Sequence, residues 1–436
     1  MTTSPTGLVR SISRWSLAAL MVNTMIGGGI FGLPSVVASR LGSLAPVAYV
    51  IAAAGIFVIV ACLSEVASQF DRSGGPYIYA REALGRWAGI LIAWFMWLSR
   101  VAAASGTANL VSAYLGQLAP RATEPTMRAL VLSVLIGVLA VINYCGVRSG
   151  TKTSDFFTIT KILLLVLFIA MGFVSLLWKP PVPAIVLAHP VRTGDWMDAF
   201  LLLVFAYGGF EAALFASGEA RNMRRDAPVA LFLGLGLVTV IYTSVQIVVN
   251  LTLANPGATE RPLAEAARQV FGEGAGAFIV VGALVTIYGY LSANMLHTPR
   301  LTYAMAAEGD FPKIFAALHP RFRTPHVSIG LYSVALLSFT LIGNFRWNLI
   351  LSSVTRLFVY GSVAIVLVVL RWRRPEADSF RMPGGMVFAA LGVLLSIVLL
   401  VRMPLSNVWV VGITIGVATL NWLLVRTRQP REINQV

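Results

Sequence analysis

Charged side chains are what this sequence has least of. Asp, Glu, Lys and Arg make up only 12% of its 436 residues, whereas 57% of the residues are hydrophobic. The mean hydropathy is +0.80. This scarcity of charge excludes an assembly of two or three soluble domains, and the composition is typical of a protein that crosses a membrane many times.

Cysteine and histidine are also sparse. The two cysteines, Cys62 and Cys145, lie in apolar runs, so we interpret them as small core residues, and two cysteines exclude a disulfide framework. His297 stands alone near the end of an apolar stretch, and no other histidine forms a metal-ligand spacing with it. We therefore predict neither a metal nor a cofactor, and a structural role for His297.

Motifs of several other functional classes are missing. The sequence contains no nucleotide-binding loop of the Walker type and no convergent cluster of carboxylates or histidines near one interface. No sizeable soluble module separates the apolar runs. These absences argue against a membrane enzyme and against a sensor.

Long hydrophobic stretches, in contrast, are abundant. Twelve of them are predicted to cross a membrane as helices, and we number them as spans one to twelve. They lie near residues 15–38, 43–70, 87–118, 128–146, 154–178, 197–220, 229–253, 275–303, 326–343, 348–371, 386–403 and 406–426. The sequence thus predicts an all-α membrane protein with 12 transmembrane helices in a lipid bilayer.

Basic residues outnumber acidic ones, and the net charge is +15. With a cytoplasmic N-terminus, 21 of the 33 Lys and Arg residues fall in the tails and inner loops, 9 in outer loops and 3 inside spans. The positive-inside rule then places both termini in the cytoplasm, at the plasma or inner membrane of the cell. Because the excess of basic residues is explained by the orientation of the protein in the membrane, no nucleic-acid partner is predicted.

The spans divide into two halves of similar length. Spans one to five occupy residues 15–178, and spans six to ten occupy residues 179–372. Each half has an odd number of spans, so the second half must run in the opposite membrane direction. Spans eleven and twelve lie in residues 373–427, and cytoplasmic tails are predicted at residues 1–14 and 428–436.

Each half opens with a span that is interrupted by glycines. Span one contains MIGGGIFG, starting at Met25, and span six contains FAYGGFEAA, starting at Phe205. Paired interruptions of this kind indicate a transporter built from inverted repeats, with its binding site at the breaks. The alternative is that the glycines only allow close helix packing. Two clusters at matching positions favour the binding site.

Five segments, in the same order along the chain, resemble the amino acid–polyamine–organocation (APC) family of permeases, which have the LeuT-type fold. They are GGGIFGLP in span one, SEVASQFDRSGGPYIYAREALG after span two, FAYGGFEAALFASGEARNMRRDAPVAL in and after span six, TPRLTYAMAAEGDFPKIFAALHPRFRTPHVSI after span eight, and FRMPGG before span eleven. The resemblance implies a 5+5 inverted repeat with helices 1 and 6 broken, two additional C-terminal helices, and an amino acid as the substrate.

The two breaks offer groups for both ends of an amino acid. The N–H groups of Gly28 and Gly29 would open the second half of span one, where a helix N-terminus favours a carboxylate. Carbonyls around Phe205 to Gly208 would accept hydrogen bonds from an ammonium. By resemblance Phe205 covers the substrate, although ordinary packing also explains an aromatic residue there. The predicted substrate site comprises Thr24, Met25, Ile26, Gly27, Gly28, Gly29, Phe205, Ala206, Tyr207, Gly208, Gly209 and Arg100.

The size of the substrate side chain is predicted from the second break. Gly208 and Gly209 follow Tyr207 at positions where relatives often carry a branched side chain. By analogy the glycines leave room for a medium or large neutral side chain. We therefore expect a broad range of neutral substrates.

Lys161 lies about seven residues, or roughly 10 Å, inside span five. A charge at that depth costs at least a few kcal/mol, so it marks a functional candidate unless the side chain snorkels to the inner interface. Sodium-coupled relatives of this fold hold a cation beside span five, and the resemblance implies that a lysine replaces it in proton-coupled members. Because burial disfavours a charged amine, Lys161 would exchange a proton near neutral pH.

Arg100 in span three and Glu211 in span six form a second pair of candidates. Arginine stays charged, so it needs a partner or a water-filled cavity. Arg100 either pairs with Glu211 or with carbonyls of a broken helix, or it faces the pocket and holds an anionic or carbonyl-bearing side chain. We assign Glu211, with Lys161, to proton coupling. Arg356 in span ten is expected to form an outer gate or to pair locally.

Two further carboxylates, Glu65 and Glu219, lie near the predicted inner ends of spans two and six. Loop arginines such as Arg72 and Arg221 are the expected partners. Solvated pairs are the commoner outcome for such residues, and an inner gate is the alternative.

Together these features predict a secondary active transporter that takes up neutral L-amino acids with protons by alternating access. The alternative is an amino acid exchanger of the same fold without proton coupling. Lys161 argues against the exchanger, because exchangers in this family usually lack that lysine.

Overall fold

The computed structural model describes residues 14–70, 74–146, 150–182, 185, 190–211, 214, 223–374 and 379–427. Over these ranges the chain forms helices joined by turns and short connections. In chain order the α-helices are α1 (Arg14–Met25), α2 (Leu33–Leu41), α3 (Ala45–Ala67), α4 (Pro76–Leu84), α5 (Arg86–Leu118), α6 (Pro125–Cys145), α7 (Gly150–Ser175), α8 (Thr193–Tyr207), α9 (Met223–Thr252), α10 (Pro262–Phe271), α11 (Glu273–Ala307), α12 (His326–Ile342), α13 (Phe345–Arg373), α14 (Gly385–Leu400) and α15 (Leu405–Val425).

Several helices turn large apolar side chains outward. On α6, Leu130, Val134 and Val138 recur at each turn, and each has about half of its surface exposed. Continuous apolar faces of this kind suit lipid and not water. Within the described ranges eight segments are long and apolar enough to cross a membrane, and two shorter apolar helices, α12 and α14, accompany them. The chain is therefore a helical, multi-pass membrane protein.

Span one is interrupted at the predicted glycines. The first helix, α1, ends at Met25, and Gly27 is extended with φ −94° and ψ −163°. A 3-10 turn over Gly28–Phe31 then leads to α2, which has Pro34 in its first turn. Proline suits that position because the N–H it lacks would have no helical partner. The first span thus consists of two short helices with an extended residue between them.

Span six is interrupted in the same way. Its helix α8 ends at Tyr207, Gly208 is extended, and Gly209 has a φ of +109°. Only glycine adopts such a positive φ without steric cost, so the backbone course requires Gly209. Most of the predicted second half of this span, residues 212–213 and 215–220, lies outside the described residues.

The long helix α5 packs against α13 at the centre of the bundle. Phe95 stacks on Phe358 with 4.6 Å between ring centroids, and Ser352 Oγ donates a hydrogen bond to the carbonyl oxygen of Ser99 at 2.9 Å. Arg100 on α5 and Arg356 on α13 consequently lie close enough for their charges to interact. The packing of these two helices thus positions two of the charges found inside predicted spans.

One of the two cysteines departs from the sequence prediction. Cys62 is buried on α3, as predicted, but Cys145 is exposed at the last residue of α6. Only a narrow stripe of α6 is buried, formed by Leu132, Ile136, Leu139 and Asn143. The apolar run around Cys145 therefore reflects an outward-facing helix, and the expectation that Cys145 is a core residue was wrong.

Candidate substrate site

The two interrupted helices meet at their breaks. A Cβ atom on Gly209 would lie only 2.6 Å from the carbonyl oxygen of Thr24, so the backbones of spans one and six touch. Thr24 donates its hydroxyl to the carbonyl oxygen of Met21 at 3.0 Å, and the hydroxyl of Tyr242 donates to that of Met25 at 2.9 Å. The predicted residues of both breaks are therefore brought together in one place.

Side chains from three other helices cover the glycines of the first break, Gly27–Gly29. A Cβ on the first glycine would lie 2.9 Å from the ring of Tyr290, and one on the second or third would overlap Thr107 or Phe205. The glycines thus serve close packing as well as interruption, and the break is covered in this conformation. Thr107 Oγ1 is buried and has no hydrogen-bond partner in the part of the chain that the structure describes.

The backbone groups predicted to bind a substrate differ in their availability. The N–H groups of Gly28 and Gly29 start the 3-10 turn, so no carbonyl within that turn accepts them. In the second break the carbonyl oxygen of Phe205 already accepts the N–H of Gly208 at 3.1 Å. Ala206 and Tyr207 are buried, and the hydroxyl of Tyr207 donates to the carbonyl oxygen of Tyr49 at 3.0 Å.

Lys161 is 5% exposed and lies against the first break. Its Nζ donates hydrogen bonds to the carbonyl oxygens of Asn23 and Ile26, at 2.5 and 2.7 Å. The last carbonyls of a helix have no partner within it, and they carry the negative end of the helix dipole. The lysine is therefore held inside the bundle by the end of α1 and does not snorkel to the interface.

Glu211 follows the second break and is 4% exposed. Its Oε1 lies 3.5 Å from Nη1 of Arg356, and its Oε2 accepts hydrogen bonds from the N–H of Gly209 at 3.0 Å and the hydroxyl of Tyr360 at 3.4 Å. We call Glu211, Arg356 and Tyr360 the central cluster. Arg356 therefore does pair locally, and its partner belongs to the predicted coupling pair. The charge of Arg100 also acts on Glu211, and whether Arg100 touches substrate stays a prediction.

The space predicted beside Gly208 and Gly209, in the second break, is filled. A Cβ on Gly208 would overlap the guanidinium of Arg356, and one on Gly209 would meet the backbone of Thr24. Both positions are occupied by glycine because other groups approach the backbone closely. The expectation of open room for a large side chain at these glycines was wrong for this conformation.

Two residues at the site carried no clear signal in the sequence, and the partner of a third could not be read from it. Thr107 and Tyr290 are ordinary residues of an apolar helix, so nothing in their type distinguishes them. Arg356 was conspicuous as a charge inside a span, but its partner depends on which side of the helix faces the second break. Only the packing of α5, α11 and α13 around the breaks identifies all three.

A second group of buried charges lies at the end of the bundle that carries the predicted inner loops. Glu65, which is 1% exposed, accepts hydrogen bonds from Nε and Nη2 of Arg371, both at 2.7 Å, and from the N–H of Met382 at 2.8 Å. The partner of Glu65 is therefore Arg371 and not a solvated loop arginine. Arg72 and the predicted pair of Glu219 and Arg221 lie outside the described residues.

Asp310 lies at the same end and is completely buried. It accepts hydrogen bonds from the hydroxyl of Tyr77 at 2.5 Å and from Nε of Arg86 at 2.7 Å, and Nε of Arg81 lies 3.3 Å away. We call the Glu65 and Asp310 sites together the inner-end network. The Asp310 site connects α4 and α5 with the chain that follows α11, and the Glu65 site connects α3 and α13 with the chain that precedes α14.

Comparison with known proteins assigns this architecture to a family. Residues 12–423 match the family described as amino acid permease. The chain belongs to the amino acid permease family. This confirms the predicted membership of the APC superfamily, and it makes the protein an amino acid transporter of the membrane and not an enzyme.

Individual relatives of this permease carry different names. It is 28% identical to the methylthioribose transporter of Bacillus subtilis over 86% of this chain and 84% of the relative. The branched-chain amino acid permease BcaP of the same organism is 25% identical over 97% and 93% of the two chains. The serine/threonine exchanger SteT, again from Bacillus subtilis, is 28% identical over 87% of each.

Proposed function

We propose that this permease takes up neutral L-amino acids together with protons by alternating access. Its proposed architecture has 12 spans, with a LeuT-type inverted repeat over residues 15–178 and 179–372, spans eleven and twelve in residues 373–427, and both termini in the cytoplasm at the plasma or inner membrane. The interruption of two helices at glycines, one in each half, supports this arrangement.

The two breaks are the proposed binding site for the backbone of the amino acid. The carboxylate would bind the N–H groups of Gly28 and Gly29, and the ammonium would bind carbonyls between Phe205 and Gly208. A neutral side chain is proposed because Glu211 compensates the charge of Arg356 at this site. The relatives named for branched-chain amino acids and for serine and threonine support an amino acid substrate.

The single observation that carries proton coupling is the position of Lys161. Its ammonium binds the carbonyl oxygens of Asn23 and Ile26. A neutral amine on Lys161 would hold these carbonyls less well. Protonation of Lys161 therefore favours the conformation in which the end of α1 lies against α7. A proton that binds one conformation better than the other is coupled to the transport cycle. Glu211, buried in the central cluster, is the second residue proposed for proton coupling.

The test is uptake into proteoliposomes under an imposed pH gradient, with sodium absent throughout. We expect empty vesicles to accumulate neutral L-amino acids when the outside is acidic, and Lys161→Ala to lose this accumulation. Lys179→Ala is the matched control, because Lys179 also donates to two backbone carbonyls, those of Gln269 and Val270, but from an exposed position. Its accumulation should equal that of the parent protein.

Two results would contradict the proposal. If Lys161→Ala accumulates substrate as steeply as the parent protein, the lysine has no part in coupling. If uptake by the parent protein requires vesicles preloaded with amino acid, and a pH gradient does not replace the preloading, the protein is an exchanger. The similarity to a serine/threonine exchanger makes this the second candidate function.

A further inference from the structure

Arg356 is a buried arginine that has unbonded hydrogen-bond donors. Its side chain is about 6% exposed and lies 3.5 Å from Glu211. Nevertheless its Nε and Nη1 atoms, which are completely buried, have no hydrogen-bond partner among the described residues. Buried donors in native proteins are nearly always bonded, and an unmade bond to a charged group is especially costly. The exception calls for an acceptor that is supplied from elsewhere.

The unbonded donors lie beside the proposed binding site. The guanidinium sits against Gly208, the first extended residue of the second break. Its charge also acts on Tyr290, the residue that covers Gly27 in the first break. An amino acid bound between the breaks would therefore lie beside Arg356.

The neighbours of Arg356 determine which acceptor fits. Glu211 already supplies a negative charge to the guanidinium, and that carboxylate is itself bonded to Gly209 and Tyr360. The pair lacks hydrogen-bond acceptors rather than negative charge. A neutral oxygen would satisfy the free donors without placing a second carboxylate next to Glu211, and repulsion between like charges opposes the latter.

We propose that Arg356 selects substrates whose side chain presents a neutral hydrogen-bond acceptor, a hydroxyl or a carboxamide, over apolar side chains of the same shape. The proposal rests on the proposed function, because it requires an amino acid at the breaks. A site built to bond a polar group rejects the apolar analogue, since its own donors are then left buried and unpaired.

The experiment measures binding of isosteric amino acid pairs to the purified protein in detergent. Threonine and valine differ by a hydroxyl against a methyl group, and asparagine and leucine by a carboxamide against an isopropyl group. We expect threonine and asparagine to bind on the order of tenfold more tightly than valine and leucine. Aspartate, which matches asparagine in shape, should bind more weakly than asparagine.

The variant arm replaces Arg356→Met together with Glu211→Gln, so that no uncompensated charge stays buried. The ratio between the members of each pair should fall to about one, whatever the absolute affinity of the variant. Arg128→Met is the control, because Arg128 is a half-buried arginine whose hydrogen bonds go to Asn109 and to the carbonyl oxygens of Thr340 and Gly343, and not to residues of the breaks. Its ratios should equal those of the parent protein.

The outcomes separate the two proposals. Equal binding of the two members of each pair by the parent protein would overturn the selection by Arg356 while leaving amino acid transport intact. Tighter binding of aspartate than of asparagine would equally overturn it. A parent protein that binds none of these amino acids, nor alanine or glycine, would contradict the proposed function itself.

Discussion

The inner-end network and the central cluster both contain carboxylates that are almost fully buried. They differ in how completely the polar groups of each site are hydrogen-bonded. Glu65 receives three hydrogen bonds, two of them from one arginine, and Asp310 is bonded to a tyrosine and an arginine. In the central cluster Arg356 keeps two unbonded donors. Complete bonding indicates a role in stability, whereas unmet bonding beside the helix breaks indicates a place for a ligand. Substitutions in the inner-end network should therefore lower stability, whereas substitutions at the helix breaks should lower transport.

The largest effect is expected at the helix breaks, and it should appear in transport even by protein that has folded and inserted into the membrane. Gly209→Ala places a Cβ 2.6 Å from the carbonyl oxygen of Thr24, at a φ of +109°. Because neither backbone can yield without moving a half-helix, we expect uptake to fall to about 1% of the parent rate or below, a loss equivalent to about 3 kcal/mol. The measurement is uptake into proteoliposomes at equal amounts of inserted protein.

Gly236→Ala provides the matched control for this change. Gly236 lies within α9, and a Cβ at that position meets nothing within 4 Å. Alanine in a helix interior is favoured over glycine by up to about 1 kcal/mol, so uptake should be retained. Normal uptake by Gly209→Ala would remove the distinction between the two regions, because the breaks would then tolerate added volume like any helix surface.

The next effect concerns the inner-end network, and it should appear in stability. Arg371→Met leaves the buried Glu65 without its charged partner, which typically costs about 3–5 kcal/mol. We expect a clear drop in the melting temperature of the detergent-solubilised protein. Adding Glu65→Gln should recover part of the loss, because no uncompensated charge then stays buried.

Arg374→Met serves as the comparison for Arg371. Arg374 pairs with Glu82 at 3.0 Å, but both side chains are substantially exposed, at 45% and 34%. Surface pairs contribute about 0–1 kcal/mol, so this variant should melt close to the parent protein. Equal shifts for the two arginines would mean that burial of Glu65 does not set the stability of the inner end.

The smallest effect is expected at the opposite end of the bundle. Arg402→Gln removes one of two arginines from Asp198, which keeps a closer contact with Arg40 at 2.6 Å. The loss should be within about 1 kcal/mol and should shrink further in high salt. A larger loss, measured by thermal melting at two salt concentrations, would show that the pairs of Asp198 resemble the inner-end network.

The sequence predicts the places where the chain departs from a regular apolar helix. Glycine clusters identify both breaks, because glycine is unfavourable in a helix and its repetition requires a reason. Lys161 is identified by its depth in an apolar span. These features depend on residue type and position along the chain, which a single sequence contains.

Partner choice, in contrast, was not predictable from the sequence. Glu65 and Arg371 are 306 positions apart, so only the folded bundle brings them together. The pairing of Arg356 with Glu211 depends on which side of α13 faces the second break. A helix that is apolar all round has no polar stripe to reveal its orientation. For the same reason the filling of the space at Gly208 by Arg356 could not be foreseen.

The contrast between the two cysteines provides a chemical label for the topology. Cys62 is shielded within α3, whereas Cys145 is exposed at the end of α6, so an unaltered chain offers one accessible thiol to a maleimide. With a cytoplasmic N-terminus, that thiol faces the cytoplasm. A membrane-impermeant maleimide should then modify inside-out vesicles and spare right-side-out ones. If the right-side-out vesicles are modified instead, the whole bundle has the opposite orientation in the membrane. The test requires no introduced cysteine.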